Sequence, residues 1–146
     1  MTLQSGIQLN RGSFRDSRAR KVMIVDDDDD IREVIEDVLR DEGCTVYQER
    51  GGIEALATLR TVVPDLIIFD LMMPVMNGWT FYAELQQDPV LSQVPVVVLS
   101  AASHLLPDGC VTQLRKPIDL STLLQLLDTI DAPQSARKLF VRPNQM

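Results

Sequence analysis

Histidine is almost absent from this 146-residue sequence. The single one, His104, excludes a histidine-based triad or a multi-histidine metal site within one chain. Cysteine is nearly as scarce: Cys44 and Cys110 form no metal or redox motif, and two cysteines build no disulfide framework. No apolar run approaches the roughly 20 residues of a membrane-spanning helix. The opening Met1-Thr2-Leu3-Gln4-Ser5-Gly6 also lacks the apolar core of a secretion signal. A cytoplasmic location without a membrane partner is therefore expected. No glycine-rich phosphate loop ending in Gly-Lys-Ser or Gly-Lys-Thr occurs, so nucleotide binding is not indicated. Repeats and low-complexity segments are missing too. With 45% hydrophobic residues the chain suits one globular domain with a real core.

Charge is present but unevenly placed, which the net value of −7 conceals. Residues 22–131 carry twenty acids and six bases, whereas the flanks carry eight bases (Arg11, Arg15, Arg18, Arg20, Lys21, Arg137, Lys138, Arg142) and one acid, Asp16. The expected organisation is a flexible basic extension over 1–20, an acidic domain over 21–131 and a basic tail over 132–146. Solvated, frayed ends are the simple reading of such tails. Contact with an acidic partner, with nucleic acid or with the domain itself is the functional one. Neither tail is long enough for a winged-helix or helix-turn-helix unit, so a nucleic-acid partner is not expected.

The apolar runs are short, and each stops at a chemically distinctive residue. Leu66-Ile67-Ile68-Phe69 reads as a strand buried on both faces and ends at Asp70. Val22-Met23-Ile24-Val25 ends at Asp26-Asp27, and Val96-Val97-Val98-Leu99 ends at Ser100. A weaker run, Val111 to Leu114, leads into Arg115-Lys116-Pro117. Thr45 to Gln48 reads as a further strand. Between the strands lie helical stripes: Ile31, Val34, Ile35, Val38 and Leu39 up to Gly43; Ile53, Leu56, Ala57 and Leu59 after Gly51-Gly52; Trp79, Tyr82 and Leu85 after Gly78; and Leu120, Leu123, Leu124, Leu127 and Ile130. Asp28, Asp29 and Asp30 fall where a helix cap and first turn favour acids. Trp79 and the methionines Met72, Met73 and Met76 read as packing. Alternating strands and helices imply an α/β, doubly wound, five-stranded parallel sheet.

Open sheets of this kind hold ligands at the carboxyl ends of their strands. Were these strands parallel neighbours, Asp26, Asp27, Asp70, Ser100 and Lys116 would share one crevice. Carboxylates a few ångströms apart repel by about 4 kcal/mol per pair at an effective dielectric near 20. Such a cluster favours a hard divalent cation with oxygen ligands, which means Mg²⁺. A metal and an ammonium beside a free carboxylate suit phosphoryl transfer onto that carboxylate, with Asp70 as nucleophile.

Val25-Asp26-Asp27, Asp70 with Met73-Pro74 and Met76-Asn77-Gly78, Ser100-Ala101 and Lys116-Pro117 together resemble the receiver domain of two-component response regulators, a flavodoxin-like, single-domain type in this case. The resemblance covers Lys21 to Asp131. It implies that Asp70 accepts phosphate from a histidine kinase or a histidine phosphotransfer protein. It further implies that Asp27, Asp70 and the Met72 carbonyl ligate Mg²⁺ directly, while Asp26 acts through a bound water. Ser100 would hydrogen-bond the phosphoryl group, Lys116 would pair with a phosphoryl oxygen, and the Lys116–Pro117 bond would be cis. Ala101 is small enough to leave the phosphorus accessible. Such a protein turns over no substrate beyond its own phosphorylation and dephosphorylation. It would signal by contact with a downstream protein or in a phosphorelay.

Two features depart from that family. Residues 101–110 leave ten positions for the crossover before the last strand, and they include Pro107 and Asp108-Gly109. The fourth helix is thus expected to be truncated or missing. Gln113 stands three residues before Lys116, where the family usually carries an aromatic that moves on phosphorylation. A non-switching interaction module, or a receiver belonging to a larger kinase or regulator, is the alternative. An aspartate-nucleophile phosphohydrolase needs a second acid two residues after the nucleophile, and Met72 occupies that place.

Overall fold

The short apolar runs become the strands of one sheet. The computed structural model describes residues 20–101 and 112–130. Its strands are β1 (Lys21–Val25), β2 (Thr45–Glu49), β3 (Leu66–Asp70), β4 (Val96–Ser100) and β5 (Gln113–Arg115). All pair in parallel, in the order β2-β1-β3-β4-β5. Helices α1 (Asp29–Asp41), α2 (Gly52–Thr58), α3 (Gly78–Gln86) and α4 (Leu120–Ile130) cover it, with a 3-10 turn at Leu91–Gln93. This is the expected flavodoxin-like receiver architecture. The segment 102–111, on which the expectation of a truncated fourth helix falls, lies outside the described residues, as do His104, Cys110 and the basic stretches 1–19 and 132–146. Arg20 is already tied to the domain: its carbonyl accepts from the Thr45 N–H, and its guanidinium donates to the Leu127 carbonyl of α4.

Alternation along the strands divides the core in two. Met23, Val25, Ile67, Phe69 and Val98 face α2 and α3, where Ala55, Leu59, Phe81, Tyr82 and Leu85 meet them. Val22, Ile24, Leu66, Ile68, Val97, Leu99 and Leu114 face α1 and α4, against Ile35, Leu39, Cys44, Leu123, Leu126 and Leu127. Phe69 carries the sheet into the first layer. Its ring meets Phe81 edge-on at 5.3 Å and stacks with Tyr82 at 6.3 Å. Aromatic pairs of this kind add about 1 kcal/mol each beyond their buried area. They anchor the residue immediately before Asp70.

Helix boundaries follow their caps. Asp28 caps α1 by accepting the N–H groups of Asp30 and Ile31, so the acidic run divides as the sequence implies. Gly43, at φ +85°, ends it in the left-handed region that glycine adopts without strain. Asn77 caps α3 through the Thr80 N–H. Some expected faces shift. In α2 it is Gly52, Ala55 and Leu59 that are buried while Ile53 is exposed, because the short helix turns its small-residue side to the sheet. Val34 is exposed on α1, and Phe81 and Leu126 are buried where the stripes did not include them. β5 spans Gln113–Arg115 and the Val98 N–H donates to the Thr112 carbonyl just before it, while Val111, where the sequence places the start of this run, lies outside the described residues.

Candidate functional site

In this strand order β1 and β3 are neighbours while their connections run to opposite sides, the switch point where open sheets form a crevice. Asp26 follows the last residue of β1 and Asp70 is the last of β3. Asp26 is fully buried and Asp70 is 4% exposed, whereas Asp27 is open to solvent. Carboxylate oxygens of all three lie within 4.8 Å of one another. From β5 comes Lys116, whose Nζ stands 3.2 Å from Asp26 Oδ2 and 3.4 Å from Asp70 Oδ1. The Lys116–Pro117 peptide is cis. Ser100 ends β4, is fully buried, and its carbonyl accepts the Lys116 N–H at 2.9 Å. The five side chains proposed from sequence therefore lie at the same end of the sheet. Met72 is present through its backbone, since its side chain is exposed while its N–H bonds to the Asp70 carboxylate.

Three carboxylates against one ammonium leave the crevice with an excess of negative charge. Burial raises the Asp26 carboxyl above the usual carboxylate range, against the opposing Asp28 N–H and Lys116. Burial and then the neighbouring Asp26 charge raise that of Asp70. Burial pulls the Lys116 ammonium down, but the Asp26 and Asp70 charges outweigh it and hold its pKa above the ordinary value. Asp26 Oδ1 accepts the Asp28 N–H. Asp26 Oδ2 is sheltered and makes an ion-pair contact without a well-aligned hydrogen bond. A cluster of hard oxygen donors with uncompensated charge and a spare buried lone pair fits Mg²⁺.

The β3–α3 loop frames Asp70. The Leu71 N–H donates to the Leu99 carbonyl, and the Gly78 N–H returns to the Leu71 carbonyl. Within it the Met76 N–H reaches the Pro74 carbonyl at 2.7 Å, which places Val75 at φ 69°. This is a γ-turn in its strained form, unusual for a β-branched residue.

The sequence reading missed Arg32. It is almost buried, and its guanidinium donates to the Asp26 carbonyl at 2.5 Å and to Gln48 Oε1 at 2.8 Å, with a third contact to Asp29. The available signal was an arginine on the helix directly after an acidic run, where an exposed ion pair is the ordinary expectation.

The fold and the acidic crevice define a receiver-type domain. The chain belongs to the response regulator receiver domain family, whose profile matches residues 22–128. Among curated relatives it is 35% identical over 118 residues to the probable transcriptional regulator ycf29 of Pyropia yezoensis, covering 77% of this chain and 53% of that protein. It is 34% identical over 85 residues to protein PilG of Pseudomonas aeruginosa, covering 58% of this chain and 63% of PilG. The chain thus spans only part of these relatives. Among solved structures it resembles the chemotaxis response regulator CheY4 of Vibrio cholerae, with 31% identity, a TM-score of 0.69, and coverage of 77% and 98% of the two chains. It also resembles the receiver domain of a sensor histidine kinase from Pseudomonas aeruginosa, at 26% identity and TM-score 0.71, covering 78% and 99%. That structure holds a magnesium ion in its active-site cleft. Receiver domains take phosphate from histidine kinases or phosphotransfer proteins and bind Mg²⁺ at an acidic pocket. No described helix is long and apolar enough to cross a membrane.

Proposed function

We propose that this domain is phosphorylated on Asp70 in a Mg²⁺-dependent reaction with a phosphohistidine of a kinase or phosphotransfer protein. The observation that carries the reading is the position of Asp70. It lies at the end of a buried strand, within reach of Asp26 and Asp27, with Lys116 Nζ 3.4 Å from one of its oxygens. Asp27, Asp70 and the Met72 carbonyl would hold the metal directly, with Asp26 acting through a water. The bound ion supplies charge neutralisation for the phosphoryl oxygens.

The Asp70 carboxylate attacks phosphorus as the P–N bond breaks, and the bonding pair returns to the imidazole nitrogen. The product is an acyl phosphate on Asp70. Lys116, already placed between Asp26 and Asp70, pairs with a phosphoryl oxygen as charge shifts away from the Asp70 carboxylate. The Ser100 hydroxyl at the end of β4 hydrogen-bonds another. Hydrolysis of the acyl phosphate resets the domain, so the protein is a switch rather than a turnover enzyme. Its state is read by a downstream protein or passed on in a phosphorelay. The likeness to the DNA-binding regulator MtrA of Mycobacterium tuberculosis covers 36% of that protein and lends no DNA-binding role here.

The test is incubation with a small acyl phosphate, with and without Mg²⁺, followed by intact mass. A phosphate-sized gain that requires Mg²⁺ and is lost in Asp70→Asn supports the reading. No gain in the wild type, with either a small donor or a phosphorylated histidine protein, overturns it in favour of a non-switching module.

A further inference from the structure

Arg32 sits on the first turns of α1 and is 7% exposed. A guanidinium so far from water requires partners for its donors, and its three partners all belong to the neighbourhood of the acidic crevice. Nη1 donates to the backbone carbonyl of Asp26, Nε to the side-chain oxygen of Gln48 on β2, and Nη2 to the carboxylate of Asp29. Gln48 is itself held, since its Nε2 donates to Glu36 Oε1 one turn further along α1. Glu36 in turn pairs with Arg40.

The carbonyl in this network is shared with the acids. The Asp26 C=O and the Asp27 N–H belong to one peptide plane, whose orientation sets where the Asp27 side chain leaves the backbone. The other side of Asp26 is fixed by its N–H, which donates to the Glu49 carbonyl at 3.1 Å. We propose that Arg32 is the positioning residue of the metal site. It locks the Asp26–Asp27 peptide so that both carboxylates converge on Asp70, and it sets Mg²⁺ affinity without touching the ion. This inference rests on the reading of Asp26, Asp27 and Asp70 as the Mg²⁺ cluster.

Only a planar, forked donor spans a backbone carbonyl, an amide oxygen and a carboxylate at once; a lysine ammonium is a single point. Electrostatics alone makes the opposite prediction. A buried cation beside an acidic cluster repels a second cation, so its removal would tighten Mg²⁺ binding if charge were its only contribution. Loss of positioning weakens binding. The sign of the change separates the two.

The experiment is calorimetric titration of Mg²⁺ into the full chain and into Arg32→Met, Arg32→Lys and Arg60→Met. A wild type that binds no Mg²⁺ removes the cluster reading and the inference with it. Given wild-type binding, Arg32→Met is expected to weaken it about tenfold or more, the range seen when an outer-shell partner of a metal ligand is lost. Arg32→Lys, which keeps the charge, is expected to fall in between, and Arg60→Met, at an exposed residue outside this network, to bind as the wild type does. Equal or tighter binding by both Arg32 variants overturns the inference while leaving the cluster reading intact. Thermal unfolding without Mg²⁺ reports any structural loss separately. If Arg32→Met does not fold, Arg32→Lys decides through phosphate incorporation. A raised half-maximal Mg²⁺ concentration with an unchanged plateau rate supports positioning, and an unchanged half-maximal concentration refutes it.

Discussion

Lys116 Nζ lies 3.4 Å from Asp70 Oδ1 and is shared with Asp26 Oδ2 at 3.2 Å, so one ammonium holds two buried carboxylates. Lys116→Met leaves both acids without that cation. Removing one partner of a buried ion pair costs about 3 kcal/mol, because the remaining charge stays uncompensated. The expected result is a loss of that order in denaturant unfolding at neutral pH without metal. The rate of phosphate incorporation should fall roughly 100-fold, as for loss of one positioned donor to a developing anion.

The raised carboxyls of Asp26 and Asp70 give a pH dependence with a definite sign. An acid whose pKa is higher folded than unfolded binds protons more readily in the fold. Metal-free stability contributed by these two groups therefore falls as pH rises from the ordinary 3.8 through their raised values. Lys116 acts at the other end, since its raised pKa gives stability that is full below 10.5 and lost as pH rises through its folded value. Mg²⁺ competes with the carboxyl protons. The thermal stabilisation that Mg²⁺ confers should accordingly be small near pH ~4 and large near pH ~7. Equal stabilisation at both would contradict the cluster.

Val75 is 92% exposed and sits at φ 69°, so its side chain contributes little packing while its backbone is strained. Relieving such strain is worth about 1–3 kcal/mol, less about 0.7 kcal/mol for the extra chain entropy of glycine. Val75→Gly is expected to stabilise the domain by about 1 kcal/mol in urea unfolding. Destabilisation would show that the turn is not under strain.

Gly78 opens α3 directly behind Asp70. A Cβ there would stand 2.7 Å from Leu71 Cα and 2.8 Å from the Asp70 carbonyl oxygen, both backbone atoms that cannot rotate aside. Gly78→Ala should therefore cost about 1–3 kcal/mol of stability, the usual penalty of overpacking. Because the displaced atoms belong to Asp70 and its neighbour, Mg²⁺ affinity should fall as well. Retained stability and affinity would show that the loop adjusts freely.

Local chemistry made much of this domain legible before any coordinates. Runs such as Leu66 to Phe69 are apolar on both faces and too short for most helices, which suits interior parallel strands, and the acids that end them mark where the apolar run stops. Caps and breakers at Asp28, Gly43 and Gly78 mark helix ends because their preferences are set by neighbours a few residues away. The landmarks from Asp26 to Lys116 named the candidate site on the same basis. Tertiary structure decided what depends on distant partners. Strand order brings β1 beside β3 and makes Asp26 and Asp70 neighbours across 44 positions of chain. The sheet, not the periodicity, chose Ala55 over Ile53 as the buried side of α2. Arg32 is the sharpest case: as a residue it promises a surface ion pair, and only the approach of β2 and the turn after β1 closes water away from it and aims it at the Asp26 carbonyl.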